Sequence, residues 1–336
     1  MPNMGAGHLP VTRAAKSPRL ASSLDVRALE IFVSVIEARG MTGAARQLCI
    51  TQPAVSFAIQ HLEATLGTTL LDRTTRPLRP TAAGVVLHRR ARRILSDVES
   101  LRGAVSTAGG RALPNIRIGL VASVTALGAP LILALQSLAE ELRIWSTLTP
   151  HLTAALRDRE LDVLITSEAL DDLPDLERKP VLHEPLMLAI PRGFAATRKG
   201  ITLPALCDAL PLIRYTSRSN IGTVQERYLR RRRIEPPHRL EFDSSSSIVE
   251  MVAAGLGWAM TTPLCLVQSG VNLESVALRP LDGAALMRSL YVIARQNELP
   301  GTCDRIRDIV SALVRDLLAQ RLRGPNAWLL DSISYS

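Results

Sequence analysis

The 336-residue chain lacks the residue groupings on which most enzyme and metal chemistry depends. Its four cysteines, Cys49, Cys207, Cys265 and Cys303, form no CxxC pair and have no histidine at metal-ligand spacing. They read as reduced thiols, not as a zinc site or a disulfide framework. The six histidines do not cluster with carboxylates, and no serine stands in a nucleophile-elbow context. Catalysis, a metal and a cofactor are therefore not expected. No apolar run reaches the ~20 residues that cross a bilayer. The first 23 residues, MPNMGAGHLPVTRAAKSPRLASS, hold no acidic residue and no apolar core of a secretory signal. Their Gly, Pro and Ser content predicts a disordered basic tail that adds non-specific affinity for nucleic acid. A cytoplasmic location follows as an expectation.

What is present is positive charge, unevenly spread. The formal net charge is +9. Residues 1–107 carry 14 basic and 7 acidic side chains, whereas the remainder carries 26 and 24. A basic module beside a near-neutral one is the electrostatic footprint expected for DNA binding. The length allows two or three domains, and 47% hydrophobic content is ample for buried cores.

Residues 41–66, MTGAARQLCITQPAVSFAIQHLEATL, read as two helices around a tight turn. Thr42 is the expected N-cap of the first, whose apolar face is Ala44, Ala45 and Leu48; Cys49 and Ile50 make the turn. Thr51 caps the second, with Pro53 in its first turn. Val55, Ile59, Leu62 and Leu66 recur at helical spacing and are expected to bury. Gln52, Pro53, Ser56, Phe57 and Gln60 remain outside. Either this is a helix-turn-helix reading the major groove, with Gln suited to adenine and Ser to any base, or it is an ordinary helical hairpin with a solvated face.

Residues 24–84, from LDVRALEIFVSVIEARG through AARQL, TQPAVS, LEATLG and DRTTRPLRPTAAG, closely resemble the N-terminal domain of LysR-type transcriptional regulators. The resemblance implies a winged helix-turn-helix in which Thr42, Thr51, Gln52, Pro53 and Ser56 face DNA. It departs at Phe57, where the family often has Arg. Phe57 can touch a thymine methyl or merely pack. Arg73, Arg76 and Arg79, in the stiff LDRTTRPLRPT segment, fit the wing and are expected to hold phosphates without reading sequence; a solvated charged loop is the alternative.

From Thr81 a helix of about 25 residues is expected, with an apolar seam of Leu87, Ala91, Ile94, Val98, Leu101 and Val105 at heptad spacing. The resemblance implies that this linker helix dimerises antiparallel; packing within the chain is the alternative. Ser106–Pro114 reads as a hinge. Beyond it short strands alternate with helices, among them a helix over 127–142, which predicts parallel strands with crossover helices. This half resembles, more weakly, the effector-binding domain of the same family and periplasmic solute-binding proteins, its best local matches being RIGL, ELDVLI and VAAGLGWAMTTP.

The expected fold is thus α+β and multidomain. Its expected parts are a tail over 1–23, a winged helix-turn-helix over 24–81 (helix-turn-helix 41–60), a linker helix over 82–106, a hinge over 107–114, a two-lobe α/β effector domain of periplasmic-binding-protein type over 115–323, and a tail over 324–336. Lobe I is expected at 115–185 and 288–323, lobe II at 186–287. Strand ends that meet helix starts are where such folds bind ligands. They nominate Ser123 and Thr125; Thr166 and Ser167; Ser217, Arg218 and Ser219; and Thr261 and Thr262, each hydroxyl being otherwise a plain helix cap. A small carboxylate is the favoured effector, with Arg218 as its counter-charge. Some family members sense oxidants through cysteines beside the cleft, for which Cys207 is the one candidate. The expected partners are double-stranded DNA with an imperfect inverted repeat, the small-molecule effector, further copies of the chain as dimer or tetramer, and RNA polymerase, with no membrane. A solute-binding protein with the same lobes is disfavoured by the basic N-terminal module, and an enzyme by the missing catalytic set.

Overall fold

The computed structural model describes residues 24–336 except 76, 109–111, 199, 237–239, 282, 284–285 and 300. The expected tail over 1–23 and Arg76 lie outside the described residues, as does the middle of the expected hinge. The chain divides into two compact units, Met1–Leu95 and Ser96–Ser336.

The first unit holds α1 (Val26–Glu37), α2 (Met41–Gln47), α3 (Gln52–Leu66), β1 (Leu71–Asp72), β2 (Arg79–Pro80) and the start of α4 (Ala82–Ala108). Asp25 caps α1 by accepting from the Arg27 amide at 3.0 Å. The cap expected at Thr42 is not there: Gly40 precedes α2 with no side-chain cap, and Thr42 lies inside the first turn. Cys49 makes the turn with φ 53. Thr51 caps α3, accepting from the Ala54 amide at 3.4 Å, and Pro53 occupies the first turn. Val55, Ile59 and Leu62 are buried against Phe32, Val35, Ala44 and Ala45. The antiparallel β1–β2 pair is anchored by Glu63, whose carboxylate accepts from the Leu70 and Leu71 amides at 2.8 and 3.3 Å. Thr81 caps α4 by accepting from the Gly84 amide at 3.1 Å. Gly84 is obligatory: a Cβ there would stand 2.1 Å from the Leu70 carbonyl oxygen.

The expected apolar seam of α4 is split. Ala91 is fully buried in the unit's own core and so is closed to a partner helix, and Leu87, half-buried, packs against that core. The first turns of α4 close the helix-turn-helix core, which consumes their apolar side. Ile94, Leu101 and Val105 stay exposed, the last two by 66% and 67%, with Val98 half-buried.

The second unit begins with the last turns of α4, which are fastened by charge. Arg159 pairs with Asp97 at 2.9 Å and also with Glu298. Arg117 holds Asp162 at 2.7 Å and reaches the Ser96 hydroxyl at 3.4 Å. Then follow β3 (Leu113–Leu120), a 3-10 turn (Ala122–Leu127), α5 (Gly128–Leu135), β4 (Ala139–Ser146), α6 (Thr149–Arg157), β5 (Val163–Thr166) and β6 (Leu176–Pro185). The chain continues through β7 (Met187–Pro191), α7 (Arg192–Thr197), α8 (Leu203–Ala209), β8 (Ile213–Tyr215), α9 (Asn220–Arg231), β9 (Leu240–Phe242), α10 (Ser245–Ala253), β10 (Ala259–Thr261), α11 (Pro263–Gln268) and β11 (Val276–Pro280). It ends with β12 (Met287–Arg295), α12 (Thr302–Arg321), a 3-10 segment (Gly324–Ser332) and β13 (Ser334–Tyr335).

One lobe is a six-stranded sheet in the order β13-β6-β12-β5-β3-β4. The other is built on β10-β7-β11 and the β8–β9 pair. Three expectations are corrected here. The helix expected over 127–142 stops at Leu135, and β4 takes the rest, because parallel pairing with β3 overrides its helical pattern. The strands are not uniformly parallel: β3 runs parallel to β4 and β5, but β12 is antiparallel to β5 and β6, and β7 to β10 and β11. The antiparallel strands are those that carry the chain between lobes without a crossover helix. The expected tail over 324–336 is folded: Leu329 is fully buried, and β13 pairs with β6 through Ser334–His183 and Tyr335–Leu182. Its apolar residues cover an edge that would otherwise lie open.

Glu184 on β6 and Arg288 on β12 face each other in register where the strands leave the large sheet. Their ion pair measures 2.8 Å, with side chains 1% and 5% exposed. Glu184 also accepts from the Leu264 amide in the first turn of α11 at 2.8 Å. Arg288 donates to the hydroxyls of Ser123 at 2.7 Å and Thr262 at 3.3 Å. Removing one partner of such a pair strands the other in low dielectric. We predict that Glu184→Leu costs about 3–5 kcal/mol in urea unfolding of the full chain, and that adding Arg288→Met recovers most of the loss. Simply additive losses in the double variant would show that the two charges are not coupled.

Candidate functional site

Two surfaces emerge, one in each unit. In the first, the outer face of α3 presents Gln52, Pro53, Phe57 and Gln60 to solvent, with Ser56 half-buried. Thr42 is exposed on α2, and Thr51 is exposed although its hydroxyl caps α3. Phe57 is 70% exposed, so it does not pack into the core. Arg79 is exposed on β2. Arg73 is also exposed, and its guanidinium pairs with Glu63 at 3.0 Å. The wing staple Glu63 had no signal in the sequence beyond its place in LEATLG.

In the second unit, a cleft of about 270 Å³ opens between the two sheets. Its wall includes Val121 to Ser123 after β3, Ser146 to Thr149 before α6, Ser167 after β5, Tyr215 and Ser219 to Ile221 around the start of α9, Asp243 to Ser245 at the start of α10, Cys265, and Arg288 at the base. Of the residues nominated from sequence, the cleft thus takes Ser123, Ser167 and Ser219. The others go elsewhere. Thr125 donates to the Ala122 carbonyl at 2.6 Å, closing its own turn. Thr166 is fully buried and accepts from the Glu168 amide. Ser217 and Arg218 are exposed and off the cleft wall, which withdraws Arg218 as the counter-charge. Thr261 and Thr262 stand behind the wall: Thr261 bonds the Tyr215 hydroxyl at 3.1 Å, and Thr262 caps α11 and accepts from Arg288.

The cation that does reach the cleft is Arg288. It opens a strand noticed only for its apolar run LYVIA. Its Nε is buried and has no hydrogen-bond partner among the described residues. Thr149, Asn220 and Ser245 were also missed, although Thr-Pro and Ser-rich helix starts are recognisable signals. Through them the N-termini of α6, α9 and α10 meet at one cleft, and α6 starts with no side-chain cap. Such ends carry unpaired amides and partial positive charge. Burial pushes the Tyr215 phenol well above the ordinary range, and nearby Cys265 adds to this, so it stays a neutral hydrogen-bonding group. Asp243 is exposed at the rim. The cysteine beside the cleft is Cys265, 3.6 Å from the Arg288 guanidinium, and not Cys207. Burial, then Asp208, pushes the Cys207 thiol up to about 11, which suppresses its thiolate.

The model of the bacterial regulatory helix-turn-helix of the lysR family matches residues 26–85, and that of the LysR substrate-binding domain matches residues 109–315. The chain is 28% identical over 302 residues to the HTH-type transcriptional regulator BudR of Raoultella terrigena, covering 85% of this chain and 100% of that protein. It is 30% identical over 249 residues to the HTH-type transcriptional regulator YnfL of Escherichia coli K12, covering 70% and 81%. Full-length CbnR in complex with its target DNA shares the fold, with a TM-score of 0.60 at 21% identity over 86% of this chain and 100% of that one. No helix among the described residues is long and apolar enough to cross a membrane. The chain therefore belongs to the LysR family of DNA-binding transcriptional regulators, its first unit the helix-turn-helix module and its second the effector-binding domain.

Proposed function

We propose that this regulator senses a small monocarboxylate in the cleft, acting in the cytoplasm on an operator with an imperfect inverted repeat. The observation that carries the reading is the convergence of the N-termini of α6, α9 and α10 around buried Arg288. Backbone amides and a guanidinium suit a carboxylate, and because Glu184 already balances Arg288, one added negative charge rests mainly on the helix ends. Asp243 at the rim repels a second acid, so the far end of the ligand is neutral or cationic. A ligand gripping helix ends of both lobes favours the closed arrangement, a population shift set by its differential affinity for the two states. Ser167 lines the cleft with no hydrogen bond to its hydroxyl among the described residues, which makes it the cleanest probe. Isothermal titration of the full chain with a panel of small monocarboxylates should find a binder. Ser167→Ala and Asn220→Ala should each weaken that binder by about 1–3 kcal/mol while leaving DNA binding intact. Undiminished affinity in both variants would remove the ligand from this cleft.

On DNA, the reading assigns base contacts to Thr42, Thr51, Gln52, Pro53, Ser56, Phe57 and Gln60, and phosphate contacts to Arg73, Arg76 and Arg79. Gln52→Ala should cost about 1–3 kcal/mol on the specific operator and little on random DNA. Arg79→Ala should weaken both and reduce the salt slope by about one. Equal losses on both DNAs for Gln52→Ala would contradict base reading by that side chain.

Assembly as a dimer, or a dimer of dimers, is assigned to the exposed part of α4, namely Ile94, Val98, Leu101 and Val105. RNA polymerase is the further partner through which transcription is altered. Leu101→Glu with Val105→Glu alters side chains that a single chain leaves in water, so the fold should survive while sedimentation shifts to monomers. An unchanged oligomer would place the interface elsewhere.

A further inference from the structure

The outer face of α3 carries a large apolar side chain that neither phosphate binding nor hydrogen bonding uses. Phe57 is 70% exposed, whereas Phe32 of the same unit is completely buried. It cannot turn inward, because Val55, Ile59 and Leu62 already fill the buried side of α3. One helical turn further on, the His61 ring stacks on it, with ring centroids 6.5 Å apart and planes at 27°. The phenyl ring is thus flanked by a second ring on a rigid helix.

Isolated exposed apolar residues are common, so exposure alone decides nothing. Position decides. The N-terminal part of a recognition helix is the part that meets base edges. In the major groove the apolar feature of a base edge is the C5-methyl group of thymine. Gln52 and Gln60 stand on the same face, with side chains suited to adenine, and the exposed Arg46 and Arg79 supply positive charge in the same unit. We propose that Phe57 reads a thymine methyl in each operator half-site, with His61 holding the ring in place. The proposal rests on the assignment of the outer face of α3 to DNA, and deepens it from a contact to a stated base identity.

The chemistry separates this contact from any hydrogen bond. Deoxyuridine keeps every donor and acceptor of thymidine and lacks only the methyl. 5-Methylcytosine restores a methyl to a base pair with different hydrogen-bonding groups. The test begins with operators selected by the full-length chain from a random duplex library. Each thymine is then replaced singly by deoxyuridine, and affinities are measured for wild type and Phe57→Ala. For wild type, one symmetry-related position should lose about fourfold per half-site, the worth of one buried methyl, and about fifteenfold when both half-sites are changed. Phe57→Ala should bind thymine and uracil operators equally, with its thermal melt unchanged, and 5-methylcytosine at that position should bind wild type better than cytosine does. Wild-type affinity indifferent to every uracil, or an undiminished uracil penalty in Phe57→Ala, would overturn the proposal while leaving the DNA assignment standing. Failure of the wild-type chain to enrich any sequence over random DNA would overturn the assignment of α3 to the groove, and this proposal with it.

Discussion

The effector domain is organised around one buried ion pair. Glu184 and Arg288 lie opposite each other where β6 and β12 leave the large sheet. A charge pair at that depth is a poor source of stability compared with apolar packing. Its value here is connectivity. Through it the two connecting strands, the turn after β3 and the first turn of α11 share one set of hydrogen bonds. The cleft opens at this network, with Ser123, Cys265 and Arg288 in its wall, so the joint between the lobes is also part of the cleft. The Arg288 Nε is buried and has no hydrogen-bond partner among the described residues.

The DNA-binding unit obeys a different constraint, which is economy. Its core is small, and each helix serves more than one purpose. Glu63 on α3 holds the strand that opens the wing and also pairs with Arg73 on the loop. The start of α4 closes the core with Ala91 and approaches the wing so tightly at Gly84 that a methyl group cannot be accommodated. Against this economy the 70% exposure of Phe57 on α3 is conspicuous.

Much of this was legible from residues alone, and the failures have identifiable causes. Local signals worked where local physics decides: the Thr51 and Thr81 caps, the Pro53 position, and the burial of Val55, Ile59 and Leu62. They failed where tertiary pairing overrides a pattern. The apolar run after Leu127 reads as one long helix, yet its second half is an edge strand. The seam on α4 is expected to meet a partner helix, with packing within the chain as the alternative; Ala91 takes the alternative, buried in the chain's own core with Leu87 half-buried beside it. In the cleft, strand-end hydroxyls nominate Ser123, Ser167 and Ser219, which line its wall, but not Arg288, because a charged residue at the head of an apolar strand carries no local mark of its burial. Arg218 had the right charge in a plausible loop, but it points to solvent. Burial, which no window of sequence reports, separates the two arginines.

The fastening of α4 bears on how this protein can be cut. Composition marks the hinge near Gly109 and Gly110, and a fragment of the effector domain would naturally be started there. The compact unit instead begins at Ser96. Arg159 and Arg117 each meet groups on the last turns of α4, through Asp97 and Ser96. Truncation at the glycines removes those groups together with one wall of a cavity of about 160 Å³, whose lining joins Ser96, Glu99 and Gly103 of α4 to Leu113, Arg117 and Leu299. A fragment that starts at Ser96 keeps that wall and leaves Arg117 and Arg159 with their α4 partners. For crystallography or ligand titration of the isolated domain, the proper starting residue is set by this electrostatic seam and not by the glycines.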